Sequence, residues 1–157
     1  MKMLQLWEVG HFVRGLRIHM RFGELTRAPL KLLRLQLQGK AAECDWMARA
    51  PDLWDADLPP AVGERNASLQ ALKDAMAVRE LLFYALPHVE NAVFRIYRQT
   101  VREPHQLIIT GAVAREDKVP LNVRSLAMRA RLFGFRFWLD DGVLEVMQSE
   151  KHVVSIS

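Results

Sequence analysis

Three aspartates, Asp52, Asp55 and Asp57, crowd around Trp54 in the stretch PDLWDADLPPAVGER. Carboxylates this close can share a hard cation, because Ca²⁺ and Mg²⁺ take oxygen ligands. The stretch lacks the glycine and the distal glutamate of a calcium loop, so no metal is assigned to it. The five histidines, at 11, 19, 88, 105 and 152, include no pair three or four residues apart. That spacing would be needed to put two imidazoles on one helical face. No Gly-rich dinucleotide or phosphate loop, GxSxG, HExxH or CxxC pattern is present. The chain therefore offers no catalytic residue, metal or cofactor motif, and binding is preferred to catalysis.

The remaining chemistry belongs to arginine. Arg79 sits in the middle of an apolar helical stripe, between Met76 and Phe83. A buried guanidinium without a partner costs several kcal/mol, so it needs a carboxylate, a route to water, or a ligand. The functional reading is an anion- or ligand-binding arginine in a pocket under the helix, roofed by the aspartate loop. The structural reading is an internal ion pair. Glu80 is adjacent but points about 100° away on a helix, and is not the expected partner.

A second set of basic residues suits a polyanion, nucleic acid being the usual case. Arg17, His19 and Arg21 alternate along an expected strand, and Arg124, Arg129 and Arg131 lie on an expected helix. Residues 1–40 and 91–136 are the two basic blocks of the chain, and 41–90 and 137–157 are acidic. Phosphate contacts from such blocks would bind with steep salt dependence. A solvated charged surface explains the same residues, and GC-rich codon usage raises arginine in any case.

Cys44 is the one cysteine, which excludes an intrachain disulfide. Its alternating apolar neighbours make it a small core residue rather than a nucleophile. No apolar run reaches the roughly 18 residues of a membrane span, and no signal-peptide pattern opens the chain. A cytoplasmic location and no membrane partner are expected.

These side chains must be positioned by a frame, and the 157 residues suffice for a single domain, 1–157. Residues 1–15 satisfy neither period and are left unassigned, and the tail 149–157 is either frayed or a short extra strand. Leu16 to Phe22 alternates as a strand with a basic outer face. Leu33 to Gln38 returns as Ala41 to Trp46 around Gly39-Lys40, which sets Leu37 opposite Ala42, Leu35 opposite Cys44 and Leu33 opposite Trp46.

The central helix runs from an Asn66 or Ser68 cap to Leu86, with Gln70, Lys73, Asp74, Ala77 and Tyr84 outward. Asn91–Gln99 and Gln106–Ala114 form a second hairpin. A helix from Pro120 or Asn122 to Phe133 is closed by Gly134, and a third hairpin turns at Asp141-Gly142.

The expected fold is α+β: a mainly antiparallel sheet built from hairpins, order β-β-β-α-β-β-α-β-β, with two helices on one face. The expected function is a non-catalytic binding or interaction module. A homodimer through the second face of the middle hairpin, where Val93, Tyr97 and Ile108 are apolar, is one form it can take.

Overall fold

Leucine alternating with polar residues in LLRLQLQ makes a half-buried strand, and Gly39, at φ 59°, lets the chain reverse in two residues. In the computed structural model, which describes residues 2–21, 23, 25, 28–51, 57–102 and 105–147 (2–6 by backbone only), β1 (Lys31–Gln38) and β2 (Ala41–Met47) form this hairpin. Leu37 pairs with Ala42, Leu35 with Cys44, and Arg34 with Asp45. A bulge between Leu32 and Arg34 then slips the register, so Leu32, not Leu33, faces Trp46.

The largest correction to the sequence expectation lies at the N-terminus. Helix α1 (Lys2–His19) takes in most of the segment expected to be the first strand. Phe12, Leu16 and Met20 recur every fourth residue and are buried. Ile18, the residue that completed the apparent alternation, is 71% exposed. Both glycines fit the helix: Gly10 has no near neighbour, and Gly15 lets α1 approach Leu81 so closely that a Cβ would lie 2.9 Å from its Cδ1.

Helix α2 (Pro60–Ala85) starts earlier than expected, with Pro60 in the first turn, where a missing N–H costs nothing. Asn66 and Ser68 lie inside it rather than at its cap. It carries the chain from β2 over to β3 (Asn91–Arg98), which pairs parallel to β2 with Cys44 beside Phe94. The hairpin partner of β3 is β4 (Gln106–Ala114), and the five-stranded sheet runs β1-β2-β3-β4-β5. Its other three pairings are antiparallel.

The chain is thus α+β with a mainly antiparallel sheet, in the order α-β-β-α-β-β-α followed by three two-residue strands. Those are β5 (Phe135–Arg136), β6 (Leu139–Asp140) and β7 (Val143–Leu144). Asp141 and Gly142, both at positive φ, turn the last hairpin as their types predict, with Leu139 opposite Leu144.

Three helices share one face of the sheet. Leu72, Ala75, Val78 and Leu82 of α2 are buried with Cys44, Trp46, Phe94, Ile96 and Ile109 in a single core. One flank of α2 meets α1 through the rings of His11 and Tyr84, and Glu8 reaches His88, just past the end of α2, at 2.8 Å. The other flank meets α3 (Leu126–Leu132). This helix is shorter than expected and is capped by Ser125, whose Oγ accepts the Met128 N–H; Gly134, at φ 108°, follows its end. Because α1 and the chain after it cover α2, Gln70 and Asp74 are each 3% exposed instead of outward-facing.

At the far edge, Gly111 makes room for an aromatic. A Cβ there would lie 2.7 Å from Phe135 Cδ1, and the bare backbone lets Phe135 stack on Phe94 with centroids 5.8 Å apart. No helix of the described residues is long and apolar enough to cross a membrane.

Candidate ligand cleft

Parallel neighbours end side by side, so the chain leaves β2 and β3 at the same edge of the sheet and must part to go on. Ala48 keeps the pairing one residue longer by donating to Tyr97 O at 2.7 Å. Beyond it, Arg49 to Pro51 and Gln99 to Thr100 diverge. α2 returns across the same edge with Glu64, Ala67 and Ser68. On β4, the irregularity at Ile96/Tyr97 brings Leu107 opposite Tyr97 and leaves Ile108 buried on the other side. Between these segments lies a cleft of about 390 Å³. Met47, Ala48, Ala67, Ile108 and Val143 give it apolar walls, and Arg49, Glu64, Ser68, Arg98 and Thr100 supply polar groups.

Most of those polar groups have structural bonds. Arg98 Nη1 donates to Leu144 O at 2.7 Å, and Ser68 Oγ accepts from Leu144 N at 2.9 Å, which ties the last hairpin to β3 and α2. Arg49, 4% exposed, stands 2.8 Å from the buried Asp74 carboxylate and donates to Met20 O at 2.6 Å. Gln70 extends the network, donating to Asp74 at 2.8 Å and accepting from Leu25 N at 2.7 Å. Removing Arg49 or Asp74 alone would strand the other's charge in the core.

Arg79 is buried, as its place in the stripe implies. Its Nη2 donates to Ala114 O at 2.8 Å and Asp117 O at 3.0 Å, and its Nη1 to Glu80 at 2.5 Å. Glu80, set aside by helix geometry, is its partner after all: both side chains are long enough to curl together. The guanidinium carbon lies 4.3 Å from the centroid of Phe133 and 5.2 Å from that of Phe83. The group thus clamps α2 to the chain leaving β4, and it is not among the residues that line the cleft.

The basic candidates divide into two sets that do not meet. Arg17, His19 and Arg21 are exposed, but on or just after α1 rather than on a strand. On α1 the turn of about 200° between Arg17 and His19 separates their side chains, while Arg14 and Arg17 share one side at i and i+3; Arg21 lies just past the end of the helix. Arg124 and Arg131 are exposed by α3, on the opposite flank of α2, with Arg131 over the Phe137 ring at 4.5 Å. Arg129 donates to Pro120 O and Val123 O, holding the approach to α3.

Asp52 and Asp55 lie outside the described residues, and Asp57 is exposed. Among the described residues no group of three or more His, Cys, Asp or Glu is placed to hold a metal. Cys44 is fully buried, and burial raises its thiol far above the ordinary range, which suits a core residue.

The sheet face opposite the helices carries an ion-pair ladder. Arg34 lies 3.1 Å from Glu43 and 3.7 Å from Asp45, and Arg95 lies 3.2 and 3.4 Å from the same two carboxylates. The hydrogen bond from Arg95 is the main cause holding the Glu43 carboxyl below its usual range. The Arg34 half follows from the hairpin register. The Arg95 half depends on the parallel pairing, which no local pattern announces. The cleft was missed for the same reason. Val93 and Tyr97 are half-buried beside this ladder, whereas Ile108 lines the cleft.

Comparison with protein-family models, with curated proteins and with solved structures gave no match to this chain.

Proposed function

We propose that this protein is a non-catalytic binding module that holds a small, mainly apolar molecule in the cleft at the ends of β2 and β3. The cleft itself carries the reading. Its volume, about 390 Å³, falls within the roughly 300–1,000 Å³ of small-molecule sites. It lies beyond the carboxyl ends of adjacent parallel strands, a favoured place for ligands in sheets with crossover helices. Its apolar walls supply affinity, and the arginines and Ser68 at its margin supply orientation. Those groups already hold the walls together, which favours recognition over proton transfer. A reduced, buried Cys44 suits the cytoplasm, the location proposed for it.

Titration with anilinonaphthalene sulfonate, an aromatic body with one anionic head, tests this. The native chain is expected to enhance the dye's fluorescence saturably at one site. Ala67→Trp, which fills the cleft, is expected to abolish the response while circular dichroism stays unchanged. Equal responses from both proteins, or none from either, would reject the cleft.

The exposed Arg14 and Arg17 on one side of α1, with Arg21 just past its end, support a second reading, a polyanion surface on and beside α1. Trp7, 66% exposed, lies one heptad before Arg14, whose guanidinium carbon is 5.3 Å from its ring centroid. Mobility shifts with mixed nucleic acids at about 50 and 200 mM salt decide it, since several phosphate contacts lose most of their affinity across that range. No shift at the lower salt removes this reading.

A further inference from the structure

A strand at the end of a sheet leaves a row of N–H and C=O groups unpaired on its outer side, open to any second strand. β1 is such a strand. Among the described residues, no backbone group outside β2 bonds to it. The helix layer also stops short of it. No residue of β1 is buried, whereas Ala42, Cys44 and Trp46, one strand inward, are 2% exposed or less. Leu35 and Leu37 face the core side, opposite Cys44 and Ala42, yet stay half-buried. On α1, Val9 and Val13 are half-buried too. Helical spacing from His11 and Gly15, which lie against Tyr84 and Leu81 of α2, puts both valines on the other flank. The features that protect an edge, a lysine and a bulge, sit at the Lys31 end, leaving Arg34 to Gln38 straight.

We infer that this edge pairs with the same edge of a second copy, antiparallel about a two-fold axis, and joins two five-stranded sheets into one. The side chains fit self-pairing. Faces alternate along a strand, so opposed residues share a face only when the axis passes through a residue position. With the axis at Gln36, Leu35 meets the partner's Leu37 on the helix side, and Arg34 meets the partner's Gln38 on the open side. With the axis at Leu35, Arg34 meets the partner's Gln36. Neither register sets like charges face to face, whereas an axis at Arg34 would oppose two guanidinium groups. Isologous pairing also uses one patch twice, which is how two-fold dimers close.

Sedimentation velocity across the micromolar to millimolar range tests the inference. The native chain is expected to show a monomer–dimer equilibrium. Leu37→Lys, which puts an ammonium into each apolar row, is expected to raise the dimer Kd about tenfold or more. A cysteine introduced as Gln36→Cys is expected to cross-link two chains on mild oxidation. Glu116→Cys, on the turn after β4, and the buried Cys44 are expected not to. The inference fails if the chain stays monomeric throughout. It also fails if a dimer survives Leu37→Lys and position 36 does not cross-link, and it fails if a monomeric chain instead captures a foreign peptide at this edge.

Discussion

Arg79 illustrates how a charge becomes part of a core. Its guanidinium meets two carbonyls and a carboxylate, and two aromatic rings flank it. Arg79→Met keeps the bulk but leaves those carbonyls without a donor, while Glu80 stays exposed to solvent, so a loss of about 1–3 kcal/mol is expected in urea unfolding. A gain in stability would show that the clamp is dispensable. Glu43 gives a pH prediction of definite sign. Its carboxyl titrates lower folded than unfolded, because Arg95 bonds the charged form. Its contribution is therefore present above the ordinary value of 4.5 and fades as pH falls through the lower folded value. Glu43→Gln should lose stability less steeply than the native chain on acidification below that point, by thermal melts at a series of pH values.

Elements show a different balance of local and distant causes. The β1–β2 register was legible because alternation and Gly39 both specify it, and it holds from Gln38 to Arg34. The bulge that misplaces Leu33 has no signature in LLRL. α1 was illegible because Leu16, Ile18, Met20 and Phe22 satisfy a period of two, while only Phe12, Leu16 and Met20 carry the helical one. Gly10 and Gly15 added to the misdirection, since glycine lowers helix propensity and Gly15 is there for contact with Leu81. Gly111 is bound to the Phe135 ring in the same way. Gly111→Val should displace the stacked ring and cost about 1–3 kcal/mol through overpacking, measured by chemical denaturation. Unchanged stability would mean that β5 can move aside freely.

Across the whole molecule, what escaped the sequence is what depends on pieces far apart in it. The cleft needs the ends of two strands, the first half of α2 and the final hairpin, and none of these announces the others. The Arg49–Asp74–Gln70 network is equally distributed, and it holds α2 to the chain around Met20 and Leu25. Arg49→Met should cost about 3–5 kcal/mol by stranding Asp74. If the network also shapes the cleft, dye binding should weaken in the same variant under conditions where it remains folded. Lost stability with intact binding would confine Arg49 to scaffolding.

The parallel join between β2 and β3 has a consequence in time as well as in space. Both long hairpins close over short loops, while Cys44 meets Phe94 only after α2 has been laid between them. Loops of that span are the slow contacts of a folding chain, and speed follows the share of such contacts. Folding should therefore wait on this one seam: Ala92→Gly in the middle of the sheet should slow refolding, whereas Gln36→Gly at its edge should mainly speed unfolding. The seam that gives the cleft its two diverging walls is thus also the contact on which the folding rate is expected to depend.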